Sequence, residues 1–283
     1  MLAIFGIILP IFLLMGIGFI AIKTSVIKTE ALPSIGGLVL YFTLPATIFS
    51  AISQTKFSES IEPLFMLIYL LASMLTFSIG LAVNHWVLKQ DISGGTVRAL
   101  GMSLPNSIFI GYPILLLILP DVATIAFVMV VLVENIFTLP LGLILLMYGA
   151  DKSQNRPQIN PLKMITLRML KNPIILAIIA GTIASLINLK LPEPLAQTLE
   201  LLARASAALA LVLVGATLAS NRFRGNIQGI SLVVFGKLLL MPLLAVVLIW
   251  LLPNFDPDLQ KALILIASVP MLTIYPILGE SAG

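Results

Sequence analysis

The sequence contains no cysteine and only one histidine, His85. Without cysteine the chain forms no disulfide and has no thiolate chemistry, so its redox compartment stays open. One histidine without cysteine cannot build a familiar transition-metal site, and no phosphate-binding Gly-Lys motif points to ATP hydrolysis. We therefore expect no cofactor and no metal. An enzyme is also disfavoured, because the apolar core lacks a Ser-His or paired-aspartate arrangement.

Charged residues are scarce as well. They make up 10% of the 283 residues, whereas 59% are hydrophobic. Soluble domains contain about 25% charged residues, so the composition predicts a protein embedded in a lipid bilayer. The net charge is +4, but the basic residues lie in short loops between apolar runs. That pattern is typical of membrane orientation and gives no indication of nucleic-acid binding.

Runs of about 20 apolar residues predict membrane-spanning helices. The chain has nine, so the predicted fold class is an all-α polytopic membrane protein. The first run has no basic segment before it, and we expect a first helix there and not a cleaved signal peptide. The predicted helices are 2–22, 33–53, 63–88, 98–119, 122–148, 168–188, 203–220, 228–252 and 259–279.

The distribution of lysine and arginine predicts the orientation. The loops after helices 1, 3, 5 and 7 carry eleven basic residues, and the opposite side carries four. Cytoplasmic loops are enriched in Lys and Arg. We therefore expect a multi-pass protein of the cytoplasmic (inner) membrane with its N-terminus outside.

The two halves of the chain share a repeat at an offset of 163 residues. Residues 10–21 align with 173–184, and six of the twelve positions are identical, including a proline and a glycine. The same offset places Tyr112-Pro113 on Tyr275-Pro276. Five helices per copy is an odd number, so the second copy enters the membrane from the opposite face. This predicts an inverted five-helix repeat, the architecture of alternating-access carriers.

The repeat predicts a division of the chain into three parts. Residues 1–150 form the first five-helix repeat, 151–167 a cytoplasmic linker, and 168–283 the second, inverted repeat. The second repeat contains only four predicted helices. The offset places the partner of helix 5 beyond residue 283, so we expect the tenth helix to be missing from this sequence.

Helices 4 and 9 of this prediction are each interrupted by two prolines, Pro105 and Pro113 in the first case and Pro270 and Pro276 in the second. A proline inside a helix removes a hydrogen bond and clashes with the preceding turn. Irregular backbone persists in a bilayer only where it is buried in protein or lines a polar cavity. Paired interruptions in corresponding halves therefore point to the binding site of a carrier.

Six motifs occur along the whole chain. They are Pro10 in helix 1, Tyr41-Phe42-Thr43-Leu44-Pro45, Pro105-Asn106 with Gly111-Tyr112-Pro113, residues 213–218, Lys237 with Pro242, and Pro270 with Pro276. In their order and spacing they resemble the auxin efflux carrier family of membrane transport proteins. The resemblance implies ten helices, with broken helices 4 and 9 crossing near the midplane, as in the bile-acid sodium symporters, which are related in fold. It also implies a scaffold domain and a transport domain that each take helices from both repeats.

The two interruptions supply the candidate substrate-binding residues. Half-helices that start near Pro113 and Pro276 would direct partial positive charge and free amides at one anion. Asn106, Ser107 and Thr273 add side-chain polar groups. Simple proline kinks stabilised by neighbouring helices are the alternative. The candidates are Pro105, Asn106, Ser107, Gly111, Tyr112, Pro113, Pro270, Thr273, Tyr275 and Pro276.

Three polar residues inside the predicted helices are candidates for coupling or an ion path. Glu134 and Asn135 lie near the bilayer centre in helix 5, where a carboxylate is costly and by default marks an ion path or proton relay. A structural pairing with a lysine or the backbone is the alternative. Lys237 in helix 8 could hold an organic anion or neutralise Glu134, or its long side chain could reach back to the interface.

These features predict a secondary active transporter that moves a small organic anion across the membrane by alternating access. The family resemblance supplies the substrate class, an auxin-like or dicarboxylate-like carboxylate. A proton or a sodium ion is the candidate coupling ion, and two copies of the chain could form a homodimer. The alternatives are a sodium-coupled symporter of the bile-acid type, and a channel or non-transporting membrane receptor.

Overall fold

The computed structural model describes residues 2–53, 61–151, 161–220 and 227–271. Every regular element in these ranges is helical, and five helices are long and apolar enough to cross a membrane. The predicted class, an all-α polytopic membrane protein, is confirmed; the inverted repeat stays a prediction. The helices are α1 Leu2–Lys23, α2 Thr29–Ser53, α3 Pro63–Val87, α4 Ile92–Ser103, α5 Ser107–Ile118, α6 120–151, α7 Pro161–Leu170, α8 Pro173–Leu186, α9 Glu193–Ser220, α10 227–251 and α11 Pro257–Ser268.

Three helices begin at an acceptor side chain followed directly by proline. Proline suits the first helical position because its missing N–H would have no partner there, and the preceding side chain accepts from a free amide of the first turn. The three acceptors are Glu62, to which Leu64 N donates at 3.2 Å, Asn172, to which Ile174 N donates at 3.0 Å, and Asp256, to which Asp258 N donates at 2.8 Å. These short signals fix where α3, α8 and α11 start.

Four of the prolines inside the helices are accompanied by wider, π-helical turns, whereas Pro10 lies in α1 without one. Four such turns each end two residues before a proline, while a fifth in α3, Val83–Val87, precedes none. A proline cannot donate its hydrogen bond and its ring clashes with the carbonyl four residues earlier. We attribute the extra residue in the preceding turn to relief of this clash. The four turns are Val39–Thr43 before Pro45, Ser107–Gly111 before Pro113, Glu134–Thr138 before Pro140, and Gly236–Leu240 before Pro242.

The chain divides into two compact units, each assembled from three segments. Unit 1 consists of Met1–Ile61, Ile108–Val128 and Leu170–Arg224. Its α1 and α9 pack backbone against backbone at two glycines: a Cβ added at Gly18 would overlap the carbonyl oxygen of Val212, and one at Gly215 would overlap that of Met15. Small residues of this kind allow close approach of membrane helices. The close approach of α1 and α9 therefore depends on two glycines.

Unit 2 consists of Glu62–Ser107, Met129–Met169 and Gly225–Gly283. The side chain of Met102 on α4 occupies space left by Gly80 on α3 and Gly236 on α10. Leu100, on the same helix, lies against Gly142 of α6 in the same way. The apolar residues around this contact, including Phe77 and Ala99, are buried. Helix α4 is thus packed on three sides by neighbours that leave room for its large side chains.

Several helix boundaries differ from those expected. The seventh predicted helix begins at Glu193, ten residues before the predicted position 203. Its first turns are polar, and Gln197 and Arg204 bond to the glutamates four residues before them. Such pairs extend a helix past its apolar stretch. Part of the predicted linker is also helical, at Pro161–Leu170, and the sixth predicted helix therefore divides before Pro173.

Candidate functional site

The two interrupted helices contact each other through their backbones within unit 2. Residues 104–106, between α4 and α5, form the first interruption, and residues 269–271, after α11, form the second. Pro105 and Met271 form an antiparallel bridge, and Asn106 N donates to Pro270 O at 2.7 Å. Each interruption therefore supplies hydrogen-bonding partners for the other. Asn106 N and Pro270 O, which lie outside the regular helices, satisfy each other in this way inside the protein, as burial in a bilayer requires.

Glu134 lies beside the first interruption and is only 6% exposed. The hydroxyl of Tyr69 on α3 donates to its Oε1 at 2.8 Å. The hydroxyl of Ser107, the first residue of α5, lies 2.8 Å from Oε1 and 2.9 Å from Oε2. Ser107 Oγ is also 3.3 Å from the carbonyl oxygen of Pro105. One serine thus connects a buried carboxyl group with the irregular backbone at Pro105.

A second set of hydroxyls lies one turn along the same helices. Ser73 on α3 and Thr138 on α6 are hydrogen-bonded at 3.0 Å, and Ser73 Oγ also donates to Ser103 O at 3.4 Å. Thr138 is the last residue of the π-helical turn that Glu134 opens. Both ends of this turn therefore reach the first interruption, one through Ser107 and the other through Ser73.

Lys237 lies in the π-helical turn of α10 and is 1% exposed. Its Nζ donates to Ala267 O of α11 at 2.9 Å and to Met241 Sδ at 2.7 Å. The side chain does not reach back to a membrane interface, which corrects one of the possibilities left open above. The ammonium group thus bonds to α10 and α11, whereas Glu134 takes its hydrogen bonds from Tyr69 and Ser107. A charge buried so completely persists only where partners compensate it.

The remaining predicted residues have separate environments. Asn135 Nδ2 donates to Val131 O of its own helix at 2.9 Å. Tyr112 belongs to unit 1, where its ring stacks on that of Phe127 at 4.5 Å and its hydroxyl lies 3.0 Å from that of Thr124. Gly111 and Pro113 also belong to unit 1. Thr273, Tyr275 and Pro276 lie outside the described residues.

The first half-helix starts earlier in the structure than the sequence predicts. We expected it near Pro113, but α5 begins at Ser107, directly after the interruption. The π-helical turn Ser107–Gly111 accommodates the proline and lets the helix continue through it. The amino end of the half-helix therefore lies next to Pro105 and Asn106.

Sequence reasoning missed four hydroxyl-bearing residues, Tyr69, Ser73, Ser103 and Thr138. A signal for three of them was present. Tyr69 and Ser73 are four residues apart, as are Glu134 and Thr138, and residues at this spacing share one face of a helix. Two apolar helices with matching polar faces indicate a buried polar contact. The sequence does not show against which side of α4 these two helices, α3 and α6, pack.

A model for a family described as membrane transport protein matches residues 3–281. The chain belongs to this family. It is the auxin efflux carrier family, so the resemblance predicted from the motifs is confirmed. As a membrane transport protein the chain is a multi-pass transporter and not an enzyme.

Two relatives align with nearly all of this membrane transport protein. One, named "Putative malonate transporter", is from Rhizobium meliloti (strain 1021) and is 27% identical over 280 residues, which cover 98% of this chain and 86% of the relative. The other, named "Uncharacterized transporter YfdV", is from Escherichia coli (strain K12) and is 28% identical over 274 residues, which cover 94% of this chain and 84% of the relative.

Proposed function

We propose that this chain is a secondary active carrier that moves a small carboxylate across the cytoplasmic membrane by alternating access. The observation that carries the proposal is the contact between the two interruptions, made by the Pro105–Met271 bridge and the Asn106–Pro270 hydrogen bond. Discontinuous helices that meet in the membrane are where carriers of this type bind their substrates. The name of the Rhizobium relative supports a dicarboxylate such as malonate as the substrate.

The amino end of α5 is the proposed anion-binding element. The first amides of a helix have no partner within the helix, and the helix dipole places partial positive charge there. Asn106 precedes this end, and both it and Ser107 are buried, at 2% and 0% exposure. The backbone N–H of Asn106 already donates to Pro270 and the hydroxyl of Ser107 to Glu134, so the following amides and the side chain of Asn106 would hold the carboxylate. Of the other predicted residues, Gly111 and Pro113 follow in the same helix and Tyr112 contributes to packing.

Glu134 is the proposed coupling residue, with a proton as the coupling ion. It is a buried acid in a membrane helix, and such residues are a feature of proton relays. The hydroxyl groups that bond to Glu134 can do so in both of its protonation states. Tyr69 and Ser107 donate to the carboxylate, and a protonated carboxyl could instead donate to Ser107, whose own proton would then turn to Pro105 O. Protonation would thereby change hydrogen bonding at the interruption where the substrate binds.

Uptake by proteoliposomes tests the proposed substrate and site together. Vesicles containing the purified chain should take up radiolabelled malonate saturably, and unlabelled succinate or malate should compete if the site accepts dicarboxylates in general. Asn106→Ala should reduce uptake, and Asn106→Asp should reduce it further because the added charge repels the anion. Uptake that is unchanged in both variants would remove Asn106 from the site. Single-channel currents without saturation would instead favour a channel.

The absence of cysteine makes the proposed orientation simple to test. Single cysteines placed at Ser25 and Lys190 can be labelled without background from the native chain. With the N-terminus outside, a membrane-impermeant maleimide added to intact cells should label position 190 and leave position 25 unlabelled until the membrane is opened. The reverse pattern would invert the proposed topology.

A further inference from the structure

Lys237 is the one buried lysine of unit 2 among the described residues, and both partners of its ammonium group are unusual. They are a backbone carbonyl oxygen, Ala267 O at 2.9 Å, and a thioether sulfur, Met241 Sδ at 2.7 Å. Neither is a carboxylate. The side chain is therefore held by dipoles, and its position is decided by where those dipoles point.

Ala267 lies in the last turn of α11, which ends at Ser268 before the second interruption. Carbonyl groups in the last turn of a helix lack partners within the helix, and they carry the partial negative charge of the helix dipole. In its protonated form, Lys237 thus places a positive charge on the carboxyl end of this half-helix. This is a favourable arrangement because Lys near a helix C-terminus satisfies the last carbonyls.

Carriers with broken helices use the same location for a different purpose. The carboxyl ends of their half-helices and the unwound carbonyls beside them coordinate the coupling sodium ion. Here a tethered ammonium group already occupies such an end. The sulfur of Met241 also suits this cation better than sodium, since hard cations prefer oxygen ligands and thioethers are soft ligands.

We propose that the ammonium group of Lys237 takes the place of a coupling sodium ion at the carboxyl end of α11, so that the carrier holds this cation as part of its own chain and transports without sodium. The inference rests on the proposed carrier function. It identifies the cation beside the second interruption of that carrier as the ammonium group of Lys237. Glu134 remains available for the proton because its hydrogen bonds come from Tyr69 and Ser107.

Thermal unfolding of the purified chain tests this inference without a substrate. The melting temperature should be the same in sodium, potassium and choline chloride at equal concentration for the natural sequence. Lys237→Ala should melt at a lower temperature, and methylammonium, which replaces the lost end of the side chain, should restore most of the loss in a saturable way. Sodium should restore less, and choline, which is too large, none. The matched control is Lys261→Ala at the other end of α11, where an exposed lysine pairs with Asp258; it should show no preference among cations.

Two results would overturn the inference. One is a higher melting temperature of the natural chain in sodium than in potassium and choline. The other is a Lys237→Ala loss that methylammonium does not restore better than choline. If Lys237→Ala does not fold, the comparison of salts on the natural chain and sodium-free malonate uptake decide the question alone. The expected cation pattern without malonate uptake would count against the proposed function only. Malonate uptake that requires sodium would leave the carrier function standing, and it would count against this inference and against the proton as the coupling ion.

Discussion

The two interruptions present the same structural problem and solve it differently. In both, an apolar helix ends at a Ser-x-Pro sequence, Ser103–Pro105 and Ser268–Pro270, and in both a side chain from a neighbouring helix binds a carbonyl of the last turn. The first interruption receives neutral hydroxyls, and the second receives the ammonium group of Lys237. Polar backbone in the membrane can thus be satisfied either by neutral groups or by a tethered charge. In the mechanism proposed above, this difference would make the first interruption the proton-accepting side and the second the fixed-cation side.

The charges themselves lie outside the interruptions. Glu134 and Lys237 are each carried by a continuous helix, in a π-helical turn that precedes a proline. Such turns occur often at functional sites, because the extra residue changes which way the following side chains point. A rigid helix therefore positions each charge, while the irregular backbone beside it supplies the dipoles.

Replacement of Glu134 should have the largest effect. Glu134→Gln keeps the shape of the side chain and can still accept from Tyr69 and Ser107, but it cannot take up a proton. We expect malonate accumulation driven by a pH gradient to fall to background while exchange of internal for external malonate continues. Asn135→Ala in the same turn is the control and should retain gradient-driven accumulation. Loss of both activities in Glu134→Gln, with unchanged folding, would assign this residue to substrate binding instead.

The two serines that bond to the backbone beside the first interruption, Ser107 and Ser73, should differ in a defined order. Ser107→Ala removes the link between Glu134 and Pro105, and a buried acceptor left without its donor costs about 1–3 kcal/mol. Because about 1.4 kcal/mol corresponds to a factor of ten, we expect uptake to fall about tenfold or more. Ser73→Ala removes a longer bond to Ser103 O and should reduce uptake less. A larger loss in Ser73→Ala would show that the Thr138 side of the turn is the more important one.

The sequence predicted the interruptions but not what surrounds them. Pro105 and Pro270 mark irregular backbone through local chemistry alone, since each lacks an N–H. Whether Lys237 reaches an interface, an anion or a carbonyl depends on how α10 packs against α11, and its long side chain permits all three. The convergence of Tyr69 and Ser107 on Glu134 likewise depends on the rotation of three helices. The start of α5 was misplaced because the second proline of the motif was treated as a helix start, although a π-helical turn allows it inside the helix.

Tyr69→Phe should have a moderate effect. The substitution removes one donor to Glu134 and leaves the ring, which is completely buried, in place. Ser107 still donates to the carboxyl group, so Glu134 keeps one of its two donors; the net contribution of one hydrogen bond is about 0.5–1.5 kcal/mol. We expect gradient-driven uptake to decrease several-fold and the melting temperature to fall. Tyr112→Phe, which removes a hydroxyl bonded to Thr124 in unit 1, is the control for the loss of a buried tyrosine hydroxyl. Equal losses of uptake in the two variants would contradict a specific role for Tyr69.

The smallest effects are expected at the serines two residues before each proline. Ser103 Oγ donates to Ala99 O at 3.0 Å and Ser268 Oγ donates to Ile264 O at 2.8 Å, so each binds the carbonyl four residues earlier in its own helix. Such bonds compete with the helix backbone and add little stability. Ser268 is exposed, and its replacement by alanine should change the free energy of unfolding by no more than about 0.5 kcal/mol. Ser103 is buried and should lose about 0.5–1.5 kcal/mol, the usual net contribution of one hydrogen bond. Melting temperatures and malonate uptake of the two alanine variants measure this directly. If Ser268→Ala reduces uptake more than Ser103→Ala, the exposed serine acts on the substrate. The second interruption would then contribute a substrate-binding side chain in addition to the carbonyl that Lys237 binds.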